Sequence, residues 1–498
     1  MQLKQDVLTD AVAEATRFLP SIYALIALIV GLLLCLLTPP FWTPDEVNHA
    51  RREIAIGQGA WMAERTSEGA GGEIDTNFNE IVSRLGEIEG NALRLDEIDL
   101  AAGVRRETRT RITEAQIAPL RQLRWAHRTE FTKFLNTAVY PPWLYLPQVV
   151  GWRLAEAAGL TILNSLVVTR MLTVLCAISL GWLAMYLCGA GRWLLFAYLL
   201  TPTALNLNAS CSQDAMLLPA AALVAVLLGR AIGARRLLTK GELAVTTVLL
   251  TACVGARPPY LPLAAVLLLP GLEQCGRRWR LFVGPALAML AITICTGLWQ
   301  FSDRGIPVTI GPDAQPSLQR AFLVGHPLEG AEIMVRSVLL LVPKVALTGM
   351  ARLGANDVVP PLAMYALLLL SFFGVVAFAP WQGLKSWYSR WTLLLSIGAV
   401  AVGISLAEYI IWTPVHSGSV KGVQFRYYLP LFPLLFLLLS APLQLRMELA
   451  GWPSRRVREI CLLAAVTVFS MVVLATPWTV AERFYHLSVG AALRGALS

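Results

Sequence analysis

The sequence predicts an all-α polytopic membrane protein, and three observations carry that reading. Of its 498 residues 56% are hydrophobic and only 15% are charged, with a mean hydropathy of +0.60; a soluble globular chain carries about 25% charged residues. Apolar runs approaching the roughly 20 residues of a spanning helix recur along the chain. Charge is also segregated: Pro39 to Val139 holds 13 Lys/Arg against 16 Asp/Glu, inside a chain of net charge +9. One acidic insert in a basic, apolar chain reads as a single large aqueous loop between membrane spans. The composition excludes a cytosolic enzyme, a disordered tail and a disulfide scaffold. The eight cysteines sit mostly in apolar runs and form no C-x-x-C pair, which argues against a disulfide framework or a zinc site. The basic residues are scattered between apolar runs, so they set orientation and do not suggest nucleic acid.

Taken in order, residues 1–38 form an N-terminal segment and a first span, the run Pro20–Leu37. No small-residue cleavage site follows it, so the span is retained. Residues 39–160 form an extracytoplasmic loop. Ile81, Leu85 and Ile88 lie at helical spacing, and Gly69, Gly71, Gly72, Asn77 and Asn79 punctuate it, predicting short helices joined by loops. Pro141–Gly159 reads as a juxtamembrane helix. Residues 161–299 carry runs at Leu163–Leu187, Trp193–Asn208, Ala215–Ile232, Leu243–Gly255, Tyr260–Gly271 and Leu281–Trp299. The two short runs near 243–271 flank Arg257-Pro258-Pro259 and predict a broken pair that turns back within the membrane, which is tolerated only inside protein or along a wet cavity. Residues 300–360 form a second outer loop with a re-entrant or juxtamembrane helix at Met334–Met350. Residues 361–498 hold the last spans, at Pro361–Pro380, Leu393–Trp412, Tyr428–Leu445 and Cys461–Pro477.

Basic residues orient this thread. Arg192; Arg235, Arg236 and Lys240; Arg277, Arg278 and Arg280; Lys385 and Arg390; and Arg455, Arg456 and Arg458 all fit on one side, the cytoplasm. The expectation is about eleven spans, with the N-terminus cytoplasmic and the C-terminus outside. The 39–139 loop, the Cys211–Asp214 turn, the 300–360 segment and the 413–427 loop then share the extracytoplasmic face.

Charged and polar residues collect on that face. After the first span the chain reads Pro39-Pro40-Phe41-Trp42-Thr43-Pro44-Asp45-Glu46-Val47-Asn48-His49. Asp45 and Glu46 are either helix-start acids complementing the dipole or a working carboxylate pair. Asp214, closing Asn208-Ala209-Ser210-Cys211-Ser212-Gln213, is either an N-cap or a second acid beside Asp45. Arg170 lies inside a span and reads as a structural ion pair or a snorkelling cation rather than a functional group; Arg257, between the broken segments, reads as functional. His416, Lys421, Gln424, Arg426 and Tyr427 cluster at the outer end of a span, as an interfacial belt or as ligand donors. Cations at this depth suit a lipid phosphate, and a carboxylate suits a hydroxyl nucleophile or an oxocarbenium-like transition state. Trp42, Trp143, Tyr145 and Trp412 offer apolar faces to a sugar ring.

The motif at 39–49 resembles the N-terminal signature of a bacterial polytopic membrane-protein family of unknown function placed in the GT-C superfamily of glycosyltransferases. Tyr140-Pro141-Pro142-Trp143-Leu144-Tyr145-Leu146-Pro147, Asn208 to Ala215, Arg257-Pro258-Pro259-Tyr260 and Gly422 to Pro430 match the same family, so the resemblance runs from about 20 to 447. It implies a GT-C-like fold and an inverting glycosyltransferase of the bacterial inner membrane. The donor is a polyprenyl-phosphate sugar and the acceptor an envelope glycan or lipid. The superfamily's acid in the first outer loop maps onto Asp45, the base, with Glu46 and Asp214 orienting it, the acceptor or a divalent cation. Arg257 and Arg426 hold the donor phosphate with Lys421 and His416, and Trp42, His49, Tyr145, Gln424 and Tyr427 contact substrate. No His/Cys ligand cluster is visible, and a divalent cation on the carboxylates stays open. The alternatives are a lipid-linked glycan polymerase or ligase, and a lipid-glycan flippase.

Overall fold

A computed structural model describes residues 2–67, 69–86, 114–274, 280–305, 311, 313–379, 383–438 and 455–485. Arg277 and Arg278, Ile88 and the end of the run expected at 428–445 lie outside the described residues. Helix α1 (Gln2–Leu37) is followed by α2 (Glu46–Gly57), β1 (Glu64–Thr66), β2 (Gly69–Asp75), α3 (76–86), α4 (Glu114–Arg121) and β3 (Thr129–Lys133). Next come a 3-10 turn (Pro142–Tyr145), α5 (Leu146–Ala157), α6 (Ile162–Leu187), α7 (Arg192–Leu199), α8 (Pro202–Asn208), α9 (Asp214–Gly233) and α10 (Lys240–Ala256). A 3-10 helix (Pro258–Leu268) leads into α11 (Leu269–Glu273), α12 (Arg280–Ser302), α13 (Pro316–Gly325), α14 (Pro327–Arg336), a π turn (Ser337–Leu341), α15 (Val342–Gly349) and α16 (Leu362–Phe378). The described chain closes with α17 (Trp387–Ile411), α18 (432–438) and α19 (Arg455–Tyr485).

Six described helices are long and apolar enough to cross a membrane: Glu14–Leu37, Ile162–Leu187, Asp214–Gly233, Arg280–Ser302, Trp387–Ile411 and Arg456–Tyr485. Around them α1 packs on α6 and α19, α6 on α5 and α9, and α9 on α10. Small residues permit the close crossings: a Cβ on Gly31 would lie 2.8 Å from Val174 of α6. The run expected as a span at 193–208 is two short helices, because Pro202 bars a continuous helix. Every residue from Trp193 to Ala209 is buried, so this segment fills the bundle core.

The expectation of short helices and loops in the outer insert is met in part. Ile81 and Leu85 are buried on α3, but the glycine-rich stretch is a strand. It forms an antiparallel sheet of order β1-β2-β3, with Thr66 opposite Gly69 and Asp75 opposite Thr129. An all-α description therefore needs this correction. The strands are short and their partners distant in sequence, so no local alternation announces them. Gly71 is glycine for a steric reason: a Cβ there would overlap the Thr132 carbonyl of β3. Ala70, Ile74, Phe78 and Ile81 pack with Trp152 and Leu166 into a second apolar core, which fixes the insert to α5 and α6.

The broken pair is also longer than the runs suggested. The 17 residues of α10 reach about 26 Å at ~1.5 Å per residue. The return limb has 11 residues in 3-10 geometry, which rises about 2.0 Å per residue, plus the five of α11. It therefore extends about 30 Å, near the hydrocarbon thickness. The limb lies along α17: Tyr260 Oη donates to the Tyr427 carbonyl (2.7 Å) at one end, and the backbone N–H of Ser386 donates to Glu273 (2.9 Å) at the other.

This geometry puts Gly241, at the start of α10, and Gly418, beyond the end of α17, at opposite ends of the bundle. A Cβ meets nothing within 4 Å at either position. Gly241→Cys and Gly418→Cys should react with a membrane-impermeant thiol reagent from opposite sides of sealed vesicles, with the unmodified chain as blank. Labelling of both from one side would contradict the packing.

Candidate functional site

The site begins where α1 ends. Proline at 39, 40 and 44 fixes φ on the way out, and Phe41 and Asp45 both take left-handed backbone, each with φ 61°. Asp45 stands at the N-cap of α2, and its carbonyl accepts the N–H groups of Asn48 (3.0 Å) and His49 (3.1 Å). Its carboxylate makes no capping bond. It accepts instead from Arg426 Nη2, and from Asn136 Nδ2 at 3.1 Å.

Arg426 continues the contact. Its Nη1 lies 3.7 Å from Asp214 Oδ2 and donates to the Pro44 carbonyl at 3.3 Å. The other oxygen of Asp214 accepts from Arg257 Nη2 at 2.5 Å. Arg257 ends α10 with φ −144° and ψ 92°; extended backbone is what a following proline imposes. Its guanidinium carbon stands 4.5 Å above the Tyr427 ring, and that of Arg426 is 5.4 Å from the same ring. The result is a ladder of alternating charge, Asp45–Arg426–Asp214–Arg257. The side chains of Asp214, Arg426 and Arg257 are 1%, 5% and 13% exposed, and that of Asp45 is 41% exposed. Asp45 is thus the rung that faces solvent. Burial pushes its carboxyl up, but the charge and hydrogen bond of Arg426, with His49 and Arg257, outweigh this and hold it below the ordinary range.

Several buried polar atoms here accept or donate no hydrogen bond among the described residues: Nε of Arg257 and of Arg426, Oδ2 of Asp214, Oε1 of Gln213 and Oδ1 of Asn136. Buried polar atoms are normally satisfied, and such a group around two guanidiniums has room for hydrogen bonds from water or a polar ligand. Arg suits phosphate, which it can grip with two parallel hydrogen bonds. Among the described residues no group of three or more His, Cys, Asp or Glu side chains is placed to hold a metal ion.

The other expected site residues separate into two groups. Glu46 does not join the ladder. It is buried, and both its oxygens are taken by Arg170, through Nε at 2.8 Å and Nη2 at 2.6 Å, with the Cys211 N–H adding 3.0 Å. Arg170 also donates to the carbonyls of Thr38 (2.9 Å) and Pro39 (3.1 Å). This is the structural ion pair expected of Arg170, and it corrects the assignment of Glu46 beside Asp45. Trp42 is likewise buried, with Nε1 donating to Asp357 at 3.2 Å and its ring edge-on to Phe484. Tyr145 is buried and shares a 2.6 Å hydrogen bond with His49 Nδ1; neither Trp42 nor Tyr145 presents a face to a ligand. Burial pushes His49 down to about 4, so its ring is neutral at pH 7, stacked on Tyr140 at 6.2 Å. Gln424 Oε1 accepts from Asn356 at 3.4 Å. Lys421 and His416 are exposed, the latter 4.7 Å from the Phe322 ring, and neither meets the ladder. The Cys211–Asp214 turn, expected to be an open loop, is buried throughout.

Two residues were missed. Asn136 carries no charge and sits in a loop without a motif. Glu408, on the last turn of α17, lies within electrostatic reach of Arg257, Arg426 and Asp45; the rule that flags charges inside apolar runs applies to it.

Two predictions follow from the buried acids. Arg170→Leu strands Glu46 and should lower stability by about 3–5 kcal/mol, read as thermal unfolding in detergent, whereas Glu46→Gln with Arg170→Met should lose less than the two single changes added. Glu53 is buried against Trp152 Nε1 (2.8 Å), and burial pushes its carboxyl from 4.5 to about 8. The folded protein keeps a proton that the unfolded chain releases above 4.5. This contribution is therefore complete at acid pH and is lost as pH rises towards about 8. Glu53→Gln retains an acceptor for Trp152 and should be more stable than the parent at pH 8, with the gap narrowing towards pH 5.

No curated protein and no solved structure matches the chain. The family model described as predicted membrane protein (DUF2142) matches residues 28–435, a range that contains every rung of the ladder. The chain is a member of the DUF2142 family of membrane proteins.

Proposed function

We propose that the protein is an inverting membrane glycosyltransferase of the GT-C type, taking a sugar from a polyprenyl-phosphate donor to an envelope glycan or lipid on the extracytoplasmic side of a bacterial inner membrane. The observation that supports it best is the pairing of two largely buried arginines, each with an Nε that bonds nothing among the described residues, with one carboxylate open to solvent. The donor phosphate replaces carboxylate oxygens on Arg257 and Arg426. Losing Arg426 removes the charge that holds the Asp45 carboxyl low, so donor binding makes Asp45 a stronger base where the acceptor arrives. The acceptor oxygen bonds to the anomeric carbon, its proton passes to Asp45, and the sugar–phosphate bond breaks with its electron pair leaving on polyprenyl phosphate. Inversion follows from this single displacement. In this reading the chain crosses the membrane about eleven times, shorter and broken segments included, with the N-terminus cytoplasmic.

Purified protein with labelled polyprenyl-phosphate sugars tests the reaction. Asp45→Asn should lower turnover by at least about 100-fold, the scale of general base catalysis, with unchanged thermal stability; near-normal turnover would remove Asp45 from the chemistry. Arg257→Lys should weaken donor use yet retain activity, and Arg257→Gln should nearly abolish it, because Lys keeps charge without the two-pronged grip. Normal donor saturation in a stable Arg257→Gln protein would take Arg257 out of the donor site.

A further inference from the structure

Glu408 has no place in the ladder. It sits half-buried on the last turn of α17, and among the described residues no hydrogen-bond donor reaches its carboxylate. Trp412 follows four residues later, hence on the same side of the helix end, and is 42% exposed. Gly422 draws the two together. A Cβ built there would lie 2.6 Å from Glu408 Oε2 and closer still to Trp412 Cδ1, and the backbone φ of +82° excludes most side chains as well. A carboxylate without donors, a part-exposed indole and a bare backbone thus meet at one patch of the surface. Arg257, Arg426 and Asp45 are its charged neighbours.

We propose that Glu408, Trp412 and Gly422 form a sugar subsite, a seat for the terminal pyranose of the acceptor. A pyranose has an apolar C–H face that an indole covers, and hydroxyls that donate to a carboxylate in charge-assisted bonds. Pairing decides which substrate belongs here. Asp45 and Asp214 are each bonded to an arginine, whereas among the described residues nothing donates to the Glu408 carboxylate. Its oxygens are left for a sugar hydroxyl, so the donor anion goes to the arginines and the uncharged sugar to Glu408. The word acceptor rests on the transferase reading above; the sugar seat rests on these side chains alone.

Saturation-transfer NMR tests the seat, using purified full-length protein in a sugar-free detergent with the methyl α-glycosides of glucose, galactose and mannose as probes. At least one glycoside should give a signal. Glu408→Gln, Trp412→Ala and Gly422→Ala should each weaken it by about ten-fold or more, the scale of one hydrogen bond to a charged group. Thermal unfolding of each variant separates loss of the seat from loss of the fold, and Trp412→Phe, which keeps an aromatic face, should retain most of the signal. No signal from the parent protein, or an unchanged signal in stable Glu408→Gln and Trp412→Ala, overturns the subsite. Decaprenyl phosphate binding is measured on the same samples: it should depend on Arg257 and not on Glu408. Its absence from the parent protein defeats the transferase reading and leaves the sugar seat to stand on the glycosides, whereas its loss in Glu408→Gln would place Glu408 on the donor side and overturn the assignment.

Discussion

The outer end of the bundle depends on one buried ion pair, Glu46 with Arg170. Taking two charges out of water is expensive, and only near-complete hydrogen bonding offsets it. Here it is offset: the carboxylate accepts three hydrogen bonds, and the guanidinium donates to two carbonyls besides. Those partners come from the exit of α1, the start of α2, the middle of α6 and the turn before α9, so the pair joins four segments at one point. Asp45 immediately precedes Glu46. With Glu46 fixed inward, the left-handed backbone of Asp45 turns its carboxylate away, towards Arg426 and Asn136. A non-glycine residue in that conformation costs about 1–3 kcal/mol and persists only where its surroundings over-determine it. The pair supplies that surrounding.

The ladder obeys the same electrostatics with one difference. Asp214 lies between two guanidiniums and is 1% exposed; Asp45 has one and is 41% exposed. In a low-dielectric setting the flanked carboxylate is held firmly and the terminal one is released at least cost. In the proposed reaction an incoming anion competes for Arg426 and Arg257 and frees Asp45 first. Exposure and charge-sharing point to the same residue as the one that changes state.

How much of this was legible in the sequence depends on the length scale of the signal. The long apolar runs at 163–187, 215–232, 281–299 and 393–412 are α6, α9, α12 and α17, because twenty apolar residues have few other homes. Asp45, Asp214, Arg257 and Arg426 stood out because charge is rare beside such runs, and the structure brings all four together. Glu46 stood out for the same reason and lies elsewhere: adjacency in sequence says nothing of which way a side chain turns when φ becomes positive between neighbours. The small sheet was hidden because Thr129–Lys133 pairs with Gly69–Asp75 across some sixty intervening positions, and glycine in β2 reads as a loop until Thr132 is seen against it. Glu408 was passed over because a lone acid at a span's end resembles ordinary interfacial polarity until Gly422 closes on it.

The return limb from Arg257 to Glu273 shows how a short run serves a long distance. Eleven residues in an α-helix would rise about 17 Å; in 3-10 geometry they rise about 22 Å. Runs of that kind are uncommon because their hydrogen bonds are poorer, but Pro258 and Pro259 stand in the first turn, whose N–H groups have no intrahelical partner, and Pro262 lacks the N–H that an α-helix would bond there, which narrows the difference. The added rise lets the limb keep Glu273 at the start of α17 while Tyr260 holds the Tyr427 carbonyl at its end. Tyr427 is the ring shared by both arginines, so the limb ends at the ladder. An α-helical version would fall about 5 Å short and would pull either Arg257 from Asp214 or Glu273 from α17. The prolines after Arg257 thus do two things at once: they force the extended backbone that aims its guanidinium, and they lengthen the limb enough to leave it there.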